Sequence, residues 1–382
     1  MVYDEVKDAI RDELPKCSDW TAVPIYMKLV TMVAKISGRI FVGPDLCRKE
    51  DYVDCAVNYT LDVISVLHEV KKINPWLRPV LAPRLSILKQ LQKREQMAQD
   101  VLFPVVRARE EAEANDPNWE KPDDMLSWFM SRRDDYGIHS TRHLAKLQLG
   151  LIFAAVHTTS LSATNMCVSI LAVCLAPRRP LTLLPRLYDL AARREYIEPL
   201  REEIRTVMAA NDNAMSTRAL QQMVKLDSFM KESTRFHPPG ATSFNRKVLR
   251  GFTLSNGQYI PAGAIVEVAS QAVYQDAHLF PDSATFDGFR FAKLRESGAA
   301  TDHARNQFVT TNEANLMFGY GRHACPGRFF AAVEIKMIVE RMVLDFDFKN
   351  EGDEGVRYAN VEMGRNSTPD PRKKLVFKRV VV

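Results

Sequence analysis

Apolar residues recur at three- and four-residue spacing through most of the first two thirds of the chain, a period that predicts amphipathic helices. Two such segments, residues 21–43 and 51–73, are separated by a break at Gly43-Pro44-Asp45. The paired acidic residues Asp123-Asp124 have the negative charge that favours a helix N-terminus. The predicted helices are 21–43, 51–73, 84–114, one starting at Asp123-Asp124, 140–173, 187–209 and 216–236.

One helix of this series has no polar face along much of its length. Residues 147–156 are apolar on nearly every side, which is typical of a helix buried inside a protein. The polar run 157–160 interrupts this stretch, so we interpret 140–173 as a buried central helix and not as a membrane span. Residues 1–17 are polar and acidic, and they predict neither a signal peptide nor a membrane anchor.

The pattern changes after Pro238-Pro239-Gly240. Residues 246–254 and 265–269 have the composition of strands, and Asn256-Gly257 between them is a strong hairpin signal. A final helix is predicted from Cys325 to about residue 345. The order of elements therefore predicts a mainly α fold with minor β structure.

Composition and charge narrow the class of protein. The chain has 382 residues, a formal net charge of +5, 46% hydrophobic and 26% charged residues, which is typical of a globular protein and excludes a disordered or fibrous one. The basic excess is not concentrated in a block of Lys and Arg among aromatic residues, so nucleic-acid binding is not expected. Six cysteines without a C-x-x-C pair predict a reducing compartment and no structural zinc site.

The strongest chemical signal is the ten-residue run from Phe318 to Gly327, F-G-Y-G-R-H-A-C-P-G. Its single cysteine, Cys325, lies where the final helix is predicted to begin, and the N–H groups of a helix N-terminus stabilise a thiolate. Gly319 and Gly321 allow the loop to pass close to a flat ligand. One thiolate held in this way suits an axial iron ligand better than a four-coordinate metal. The alternative is a structural cysteine after a turn, which does not account for the whole pattern.

A second pattern joins charged residues from separate parts of the sequence. Glu232 and Arg235, three residues apart, lie on one face of a predicted helix and can form an ion pair. Such pairs are common on protein surfaces, so the pair alone indicates no function. Arg290 in the F-D-G-F-R-F segment could complete a buried Glu-Arg-Arg network, which would be structural and not catalytic.

A third pattern, A-A-V-H-T-T-S at 154–160, lies within the predicted central helix. Consecutive threonines are poor choices in the middle of a helix. The Thr158 hydroxyl can donate to the carbonyl of Ala154 and bend the helix locally, and the small Ala154 and Ala155 would admit a ligand close to the backbone. A polar kink that is satisfied within the helix is an equally good interpretation.

Together these patterns make the chain resemble the cytochrome P-450 haem-thiolate monooxygenases, particularly the fungal microsomal type. Four motifs occur in the family's order and approximate spacing, and the similarity extends over nearly the whole chain: F-G-Y-G-R-H-A-C-P-G, E-S-T-R with its H-P-P tail, F-D-G-F-R-F and A-A-V-H-T-T-S. The resemblance implies the family's helical haem fold and a haem cofactor, iron protoporphyrin IX with an axial thiolate.

The resemblance implies which residues hold that cofactor. Cys325 would be the proximal ligand of the haem iron. His323 falls where the family places a basic residue that contacts a haem propionate. By the same resemblance, Arg246 corresponds to a second residue that contacts a propionate. Phe318 and Gly319 belong to the cofactor-binding loop by the same resemblance.

Further roles are implied for residues outside the loop. Glu232, Arg235 and Arg290 would form the structural triad behind the haem. Thr158 matches the threonine that steers proton delivery to bound dioxygen. His157 stands where most members carry Asp or Glu, and an imidazole can also shuttle protons near neutral pH.

Two features depart from the family's pattern. Members normally begin with a membrane anchor, a proline-rich hinge, first sheet strands and a helix bearing Trp-x-x-x-Arg, and this sequence is interpreted as N-terminally truncated, lacking them. The run from Trp128 to Arg132 fits the last pattern, but it lies just before the central helix and is interpreted as a coincidence. Residues 167–186 have no clear counterpart and are a possible insertion into a single domain over 1–382.

The activity implied by the resemblance is insertion of one oxygen atom from O2 into an apolar secondary metabolite, with a terpenoid or indole-terpenoid favoured. An NADPH-dependent cytochrome reductase would supply electrons, and Arg322, Arg328 and Lys336 form either its basic docking face or a solvated helix flank. The resemblance implies the endoplasmic reticulum membrane surface, with a soluble protein as the alternative because the sequence has no anchor. Two further hypotheses are a truncated non-catalytic relic and a soluble helical protein that binds apolar ligands.

Overall fold

A computed structural model describes residues 2–165, 188–298, 300–352, 358–363 and 366–380 of the chain. The chain divides into two compact units, one formed by Met1–Cys17 and Pro24–Ser160 and the other by Ser18–Val23 and Leu161–Val382. The predicted insertion at 167–186 lies outside the described residues. The described residues are mostly helical with small sheets, so the predicted fold class is confirmed.

The first unit is built from helices. They are α1 (Val2–Glu13), α2 (Ile25–Phe41), α3 (Pro44–Cys47), α4 (Glu50–Lys72), α5 (Arg78–Leu81), α6 (Ser86–Asn115), α7 (Met125–Ser131) and α8 (Thr141–Asn165), whose last five residues belong to the second unit. The predicted helices over 21–43, 51–73 and 84–114 are confirmed with small shifts at their ends. The exception is the start of the first, where residues 21–23 form a strand instead.

Buried ion pairs fix the helices of the first unit to one another. The guanidinium of Arg109 on α6 forms two bonds to the Asp124 carboxylate, at 2.8 and 2.7 Å, and a third, at 3.3 Å, to the carbonyl of Val42 after α2. The same carboxylate accepts from the N–H of Ser127 at 2.8 Å and so caps α7, as the acidic pair before this helix predicts. Because Arg109 and Asp124 are both buried, each compensates the charge of the other.

The second unit contains the remaining helices and four small antiparallel sheets. Its helices are α9 (Tyr188–Ala192), α10 (Ile197–Ala209), α11 (Thr217–Gln222), α12 (Val224–Phe236), α13 (Ser270–Gln275), α14 (Arg290–Ser297), α15 (Ala300–Arg305) and α16 (Arg328–Asp345). Its strands are β1 (Thr21–Val23), β2 (Ser243–Lys247), β3 (Phe252–Thr253), β4 (Tyr259–Ile260), β5 (Ile265–Val268), β6 (Phe346–Asn350), β7 (Asn360–Met363), β8 (Asn366–Pro369) and β9 (Leu375–Arg379). They pair in the order β1-β9-β6, and as β2-β5, β3-β4 and β7-β8.

Two long helices predicted from periodicity are interrupted in the structure. The segment 187–209 breaks at Arg193, whose ψ of 63° is not helical, and the segment 216–236 breaks at Met223, whose ψ is 74°. Apolar spacing is the same on both sides of each break, so the pattern does not reveal it. The turn at Asn256-Gly257 is confirmed, with Gly257 in the left-handed conformation that such a turn requires. It joins β3 to β4, however, and the predicted strand 246–254 is divided between β2 and β3.

A cluster of buried charges lies beneath α16. The Asp227 carboxylate on α12 accepts from Arg295 at 2.9 Å and from Lys336 at 2.7 Å. Nearby, the buried Lys231 amine donates to the carbonyls of Arg305 at 2.9 Å and Gln307 at 3.2 Å. No sequence pattern indicates this cluster, which joins α12, α14 and α16 to the segment that begins at the end of α15.

Burial lowers the pKa of Lys231 to about 7, because loss of water disfavours the ammonium form. The Asp227 carboxylate opposes this shift, whereas Arg295 and Arg305 add to it. A neutral amine has two N–H groups, one for each of the two carbonyls that it contacts. The neutral form therefore satisfies the site.

We expect Lys231 to make the free energy of unfolding rise between about pH 7 and about pH 8.5. The variant Lys231→Met should lack this contribution to the rise. The unfolded chain keeps the lysine proton up to a pKa near 10.5, so it binds more protons than the folded chain across this range. Stability then increases with pH, by about 1 to 2 kcal/mol over the range. Urea unfolding of both proteins at the two pH values measures the difference. Equal pH slopes for the two proteins would contradict this assignment.

Candidate functional site

The ten-residue run Phe318–Gly327 forms a tight loop that leads into α16. The N–H of Cys325 donates to the carbonyl of Phe318 at 2.7 Å and closes the loop. Gly319 and Gly321 have φ values of +74° and +64°, which glycine adopts without strain. A Cβ atom at Gly319 would meet the carbonyl oxygen of His323 at an ordinary contact distance of 3.4 Å, so the positive φ, and not lack of space, is what favours glycine there.

Cys325, near the end of this loop, is exposed. Helix α16 begins at Arg328 with Gly327 as its N-cap, so the cysteine precedes the helix and the predicted start at Cys325 is corrected. Among the other described cysteines, Cys47 and Cys55 are buried, and burial raises the pKa of each thiol to about 11. The thiol of Cys325 is thus the accessible one in the part of the chain that the structure describes.

The loop is anchored to the sheet and helix that precede it. The ring of Phe318 packs edge-on against Phe308, with 5.4 Å between the centroids. Two residues before Phe318, the N–H of Leu316 donates to the Tyr274 hydroxyl at 2.9 Å. The carbonyl of Leu316 accepts from the Ser243 hydroxyl at 3.0 Å. These contacts tie the approach to the cysteine to α13 and β2.

Arg246 lies in β2, immediately after an irregularity in that strand. The pairing of β2 with β5 shifts register between Ser243 and Arg246, and Phe244 within the shift has a φ of +58°, unusual for a bulky residue. The Arg246 guanidinium lies over the Phe244 ring, 4.2 Å from its centroid, and donates to the Asn245 carbonyl at 2.8 Å. Among the described residues it forms no ion pair with a carboxylate.

His323 and Arg322 lie in the short 3-10 turn Gly321–His323 within the loop, and both side chains are exposed. His323 therefore shares the loop with Cys325. The structure places Phe318, Gly319 and His323 in one loop with the cysteine, and Arg246 on the strand that Ser243 ties to that loop.

The structure brings Glu232, Arg235 and Arg290 together in a buried network. The Glu232 carboxylate is fully buried and forms two bonds with Arg235, at 2.7 and 2.8 Å. Arg290 donates to the same carboxylate at 3.2 Å, and the N–H of Asp287 does so at 3.0 Å. Four donor contacts therefore satisfy one buried carboxylate.

The two arginines of this network also hold the segment between α13 and α14. Arg235 donates to the carbonyls of Tyr274 at 2.7 Å and Ser283 at 3.0 Å. Arg290 donates to the carbonyls of Pro281 at 2.5 Å and Thr285 at 2.9 Å. Because Pro281, Ser283 and Thr285 belong to an irregular segment, these bonds give that segment a defined conformation, while the bond to Tyr274 reaches α13. Close packing continues at Gly288, where a Cβ atom would lie 2.7 Å from the Phe229 and Tyr196 rings.

In the first unit, α8 carries the two residues predicted to act in proton delivery. The Thr158 hydroxyl donates to the carbonyl of Ala154, as predicted, and lies 3.4 Å from that of Ala155. Its side chain is exposed, as is that of Ala154. This side of α8 therefore presents a small residue and a hydroxyl.

His157 lies on a buried face of α8, whereas Thr158 is exposed. Its imidazole is buried, and Nε2 forms a 2.7 Å hydrogen bond with the carbonyl of Val57 on α4. Burial lowers the pKa of His157, and the bond to Val57 opposes that shift only in part. With Nε2–H as the donor, Nδ1 is left buried without a hydrogen-bond partner among the described residues. The structure does not bring His157 and Thr158 together.

Two of the three basic residues proposed as a docking face behave differently in the structure. Lys336 is buried on α16 and pairs with Asp227, so neither the docking-face nor the solvated-flank interpretation holds for it. Arg328 is half-buried and donates to the carbonyl of Cys325 at 2.8 Å. In the sequence, the only hint of this bond is that Arg328 follows Cys325 by three residues. Arg322 is exposed, in agreement with both interpretations.

The chemistry of the loop fits a flat iron-bearing cofactor with acidic substituents. It presents a single exposed thiol, a glycine-rich backbone and the exposed His323. Arg246, which has no carboxylate partner among the described residues, suits an external carboxylate. The described residues contain no group of three or more His, Cys, Asp or Glu side chains that could hold a metal ion.

Three comparisons with known proteins agree with one another. The family model of cytochrome P450 matches residues 181–374. The cytochrome P450 monooxygenase ATR3 of Stachybotrys chlorohalonatus is 37% identical over 383 residues, which cover 99% of this chain and 76% of that protein. The cytochrome P450 monooxygenase braC of Annulohypoxylon truncatum is 35% identical, with 99% and 71% covered.

A third relative and a solved structure extend the comparison. The cytochrome P450 monooxygenase paxP of Penicillium paxilli is 34% identical over 98% of this chain and 68% of its own. The retinoic acid-bound cyanobacterial CYP120A1 matches with a TM-score of 0.68 at 19% identity, over 99% of this chain and 73% of that one. At that identity the structural match shows a shared fold only. Among the described helices, none is long and apolar enough to cross a membrane.

Proposed function

Because the chain belongs to the cytochrome P450 family and is a monooxygenase, we propose that it inserts one oxygen atom from O2 into an apolar secondary metabolite, with a terpenoid or indole-terpenoid favoured. The observation that carries the chemistry is the exposed thiol of Cys325 in a closed, glycine-rich loop. The substrate class rests on the resemblance to fungal members of the family. The monooxygenase relatives do not favour the hypothesis of a non-catalytic relic.

The residues of the loop would hold the haem. Cys325 would bind the iron through its sulfur, His323 and Arg246 would pair with the propionates, and Phe318 and Gly319 would pass close to the ring. A haem held by a thiolate supplies the activation of dioxygen, while the protein determines which substrate is held and where protons enter.

Thr158 is proposed to hold and pass the proton that dioxygen activation requires. Its exposed hydroxyl already donates to the carbonyl of Ala154, so its oxygen is free to accept a proton-carrying partner. The neighbouring His157 is directed toward Val57, and the lowered pKa keeps its imidazole neutral at neutral pH. We therefore assign His157 to anchoring α8 against α4 and route no proton through it.

The partner and location follow the family resemblance. An NADPH-dependent cytochrome reductase would deliver electrons, and exposed Arg322 remains available for its docking surface, whereas Lys336 is not. The endoplasmic reticulum membrane surface is the proposed location. The network of Glu232, Arg235 and Arg290 is proposed to act structurally, by ordering the segment between α13 and α14.

Isotope-labelled dioxygen tests the proposed activity. The haem-loaded protein, with a cytochrome reductase and NADPH, is incubated under 18O2 with panels of terpenoids, indole-terpenoids and fatty acids. We expect one labelled oxygen atom per product molecule in the first two panels. Thr158→Val should reduce product formed per O2 consumed by about ten-fold or more, because proton delivery fails while electron delivery continues.

Thr158→Ser is the matched control for that variant, since it keeps the hydroxyl and should restore most of the coupling. Label appearing only in fatty acids would overturn the substrate class. If haem is bound and reduced but no compound in the panels is labelled, the relic hypothesis is favoured instead. If Thr158→Val stays fully coupled, Thr158 has no role in proton delivery.

A further inference from the structure

The main chain of Cys325 is held from both sides. Its N–H donates to the carbonyl of Phe318 at 2.7 Å, and its carbonyl accepts from Nη1 of Arg328 at 2.8 Å. The first bond closes the loop, and the second joins the loop to the first residue of α16. A hydrogen bond from a charged donor is stronger than one between neutral groups, so the second contact restrains the cysteine carbonyl even though it lies at the surface.

One further contact and one buried atom show that the Arg328 side chain is held in this position. Its guanidinium lies over the Phe329 ring, 4.4 Å from the centroid. Its Nε is buried and has no hydrogen-bond partner among the described residues. A buried N–H without a partner carries a desolvation cost, which a freely solvated docking residue would avoid by turning outward. The contacts to Phe329 and to the Cys325 carbonyl offset that cost.

The start of α16 explains why such a restraint matters. Gly327 is the N-cap and has no side chain to bond the first N–H groups of the helix. Pro326, just after the cysteine, has no N–H to contribute. The junction between the cysteine and the helix is therefore poor in capping contacts of its own, and the Arg328 guanidinium bridges it.

We propose that Arg328 is a positioning residue for the Cys325 ligand, fastening the cysteine's carbonyl so that its sulfur keeps one orientation. This inference rests on the proposed function, since it is the haem-binding role of Cys325 that gives the orientation a purpose. Arg328 touches neither the cofactor nor the substrate in this role and acts through the main chain of Cys325.

Three variants separate positioning from simple loss of positive charge. Arg328→Met removes both the charge and the donor, at similar side-chain length. Arg328→Lys keeps the charge and one donor group without the planar guanidinium. Arg322→Met is the matched control, because it removes the same charge from an exposed position in the same loop.

The first measurement follows the red-shifted Soret band of the dithionite-reduced, carbon monoxide-bound protein in mild denaturant. We expect Arg328→Met to lose that band roughly ten-fold faster than the unsubstituted protein, in line with loss of a charge-assisted hydrogen bond. Arg328→Lys should recover part of the lifetime. Arg322→Met should leave it unchanged.

The second measurement needs no haem. Amide hydrogen exchange on the haem-free chain reports the hydrogen bond between the Cys325 N–H and the Phe318 carbonyl. We expect Arg328→Met to speed exchange at Cys325 several-fold while the cores of α12 and α16 keep their protection. Exchange rising everywhere would show general destabilisation and would count against a positioning role.

The outcomes separate this inference from the proposed function. If the unsubstituted protein has no red-shifted band, the haem-thiolate proposal fails, and the exchange experiment still decides whether Arg328 fastens Cys325. If that band is present but Arg328→Met keeps its full lifetime, the positioning role is overturned. If Arg322→Met shortens the lifetime as much as Arg328→Met does, the effect is one of charge alone, and the inference is again overturned.

Discussion

Replacing Cys325 by serine should abolish the red-shifted Soret band of the dithionite-reduced, carbon monoxide-bound protein. The band depends on an anionic sulfur ligand. Serine has no sulfur, and its hydroxyl does not ionise near neutral pH, so it cannot replace the thiolate. Serine has nearly the size of cysteine, so the substitution should leave the polypeptide fold intact. Absorption spectra with and without carbon monoxide, together with circular dichroism, measure both effects.

Cys55→Ser is the matched control for this experiment. Cys55 is buried on α4, so its substitution should lower stability by about 1 kcal/mol but keep the red-shifted band. A band that survives Cys325→Ser would remove Cys325 from the iron. An unsubstituted protein that takes up no haem would instead favour the relic or the apolar-ligand-binding hypothesis.

Replacing Glu232 by glutamine should cause the largest loss of stability that we expect from a single substitution outside the cysteine loop. The change leaves the buried guanidinium of Arg235 and the half-buried guanidinium of Arg290 without their shared negative charge. Breaking a buried ion pair by removing one partner costs about 3–5 kcal/mol. The midpoint of urea unfolding should fall accordingly, and the segment between α13 and α14 should exchange its amides faster.

Glu313→Gln provides the comparison, since it removes one carboxylate from an exposed ion pair with Arg305. Exposed pairs contribute about 0 to 1 kcal/mol, so this variant should be close to the unsubstituted protein. Similar midpoints for Glu232→Gln and Glu313→Gln would show that the buried network does not stabilise the fold.

The sequence alone was sufficient for the local features. Helical periodicity located most of α2, α4, α6 and α8, because each buries one face or more and its apolar spacing records that burial. The 318–327 run indicated a glycine-rich loop that leads into a helix. Glycine is the residue type that most readily adopts a left-handed backbone, and the cysteine in this run indicated a thiol close to the start of the helix. The bond from Thr158 to Ala154 was equally predictable, because it joins residues one helical turn apart.

Contacts between distant segments could not be obtained in this way. Lys336 has the composition of a surface residue, and only its packing beside Asp227, more than a hundred positions earlier, shows that it is buried. His157 and Thr158 are adjacent in sequence, yet the position of α4 decides that one is buried and the other exposed. The breaks at Arg193 and Met223 likewise depend on neighbouring elements and not on apolar spacing.

There is a simple physical reason why some features could be predicted from the sequence and others could not. Hydrophobic period, turn chemistry and short-range hydrogen bonds depend on neighbouring residues, so the sequence by itself determined most of the helices, the glycine turns of the cysteine loop and the Glu232–Arg235 pair. Burial of charge and the direction of a side chain depend on which surfaces meet after folding. Only the tertiary structure could decide that Arg290 joins that pair, that Lys231 loses its water, and that Arg328 bonds to the cysteine instead of facing solvent.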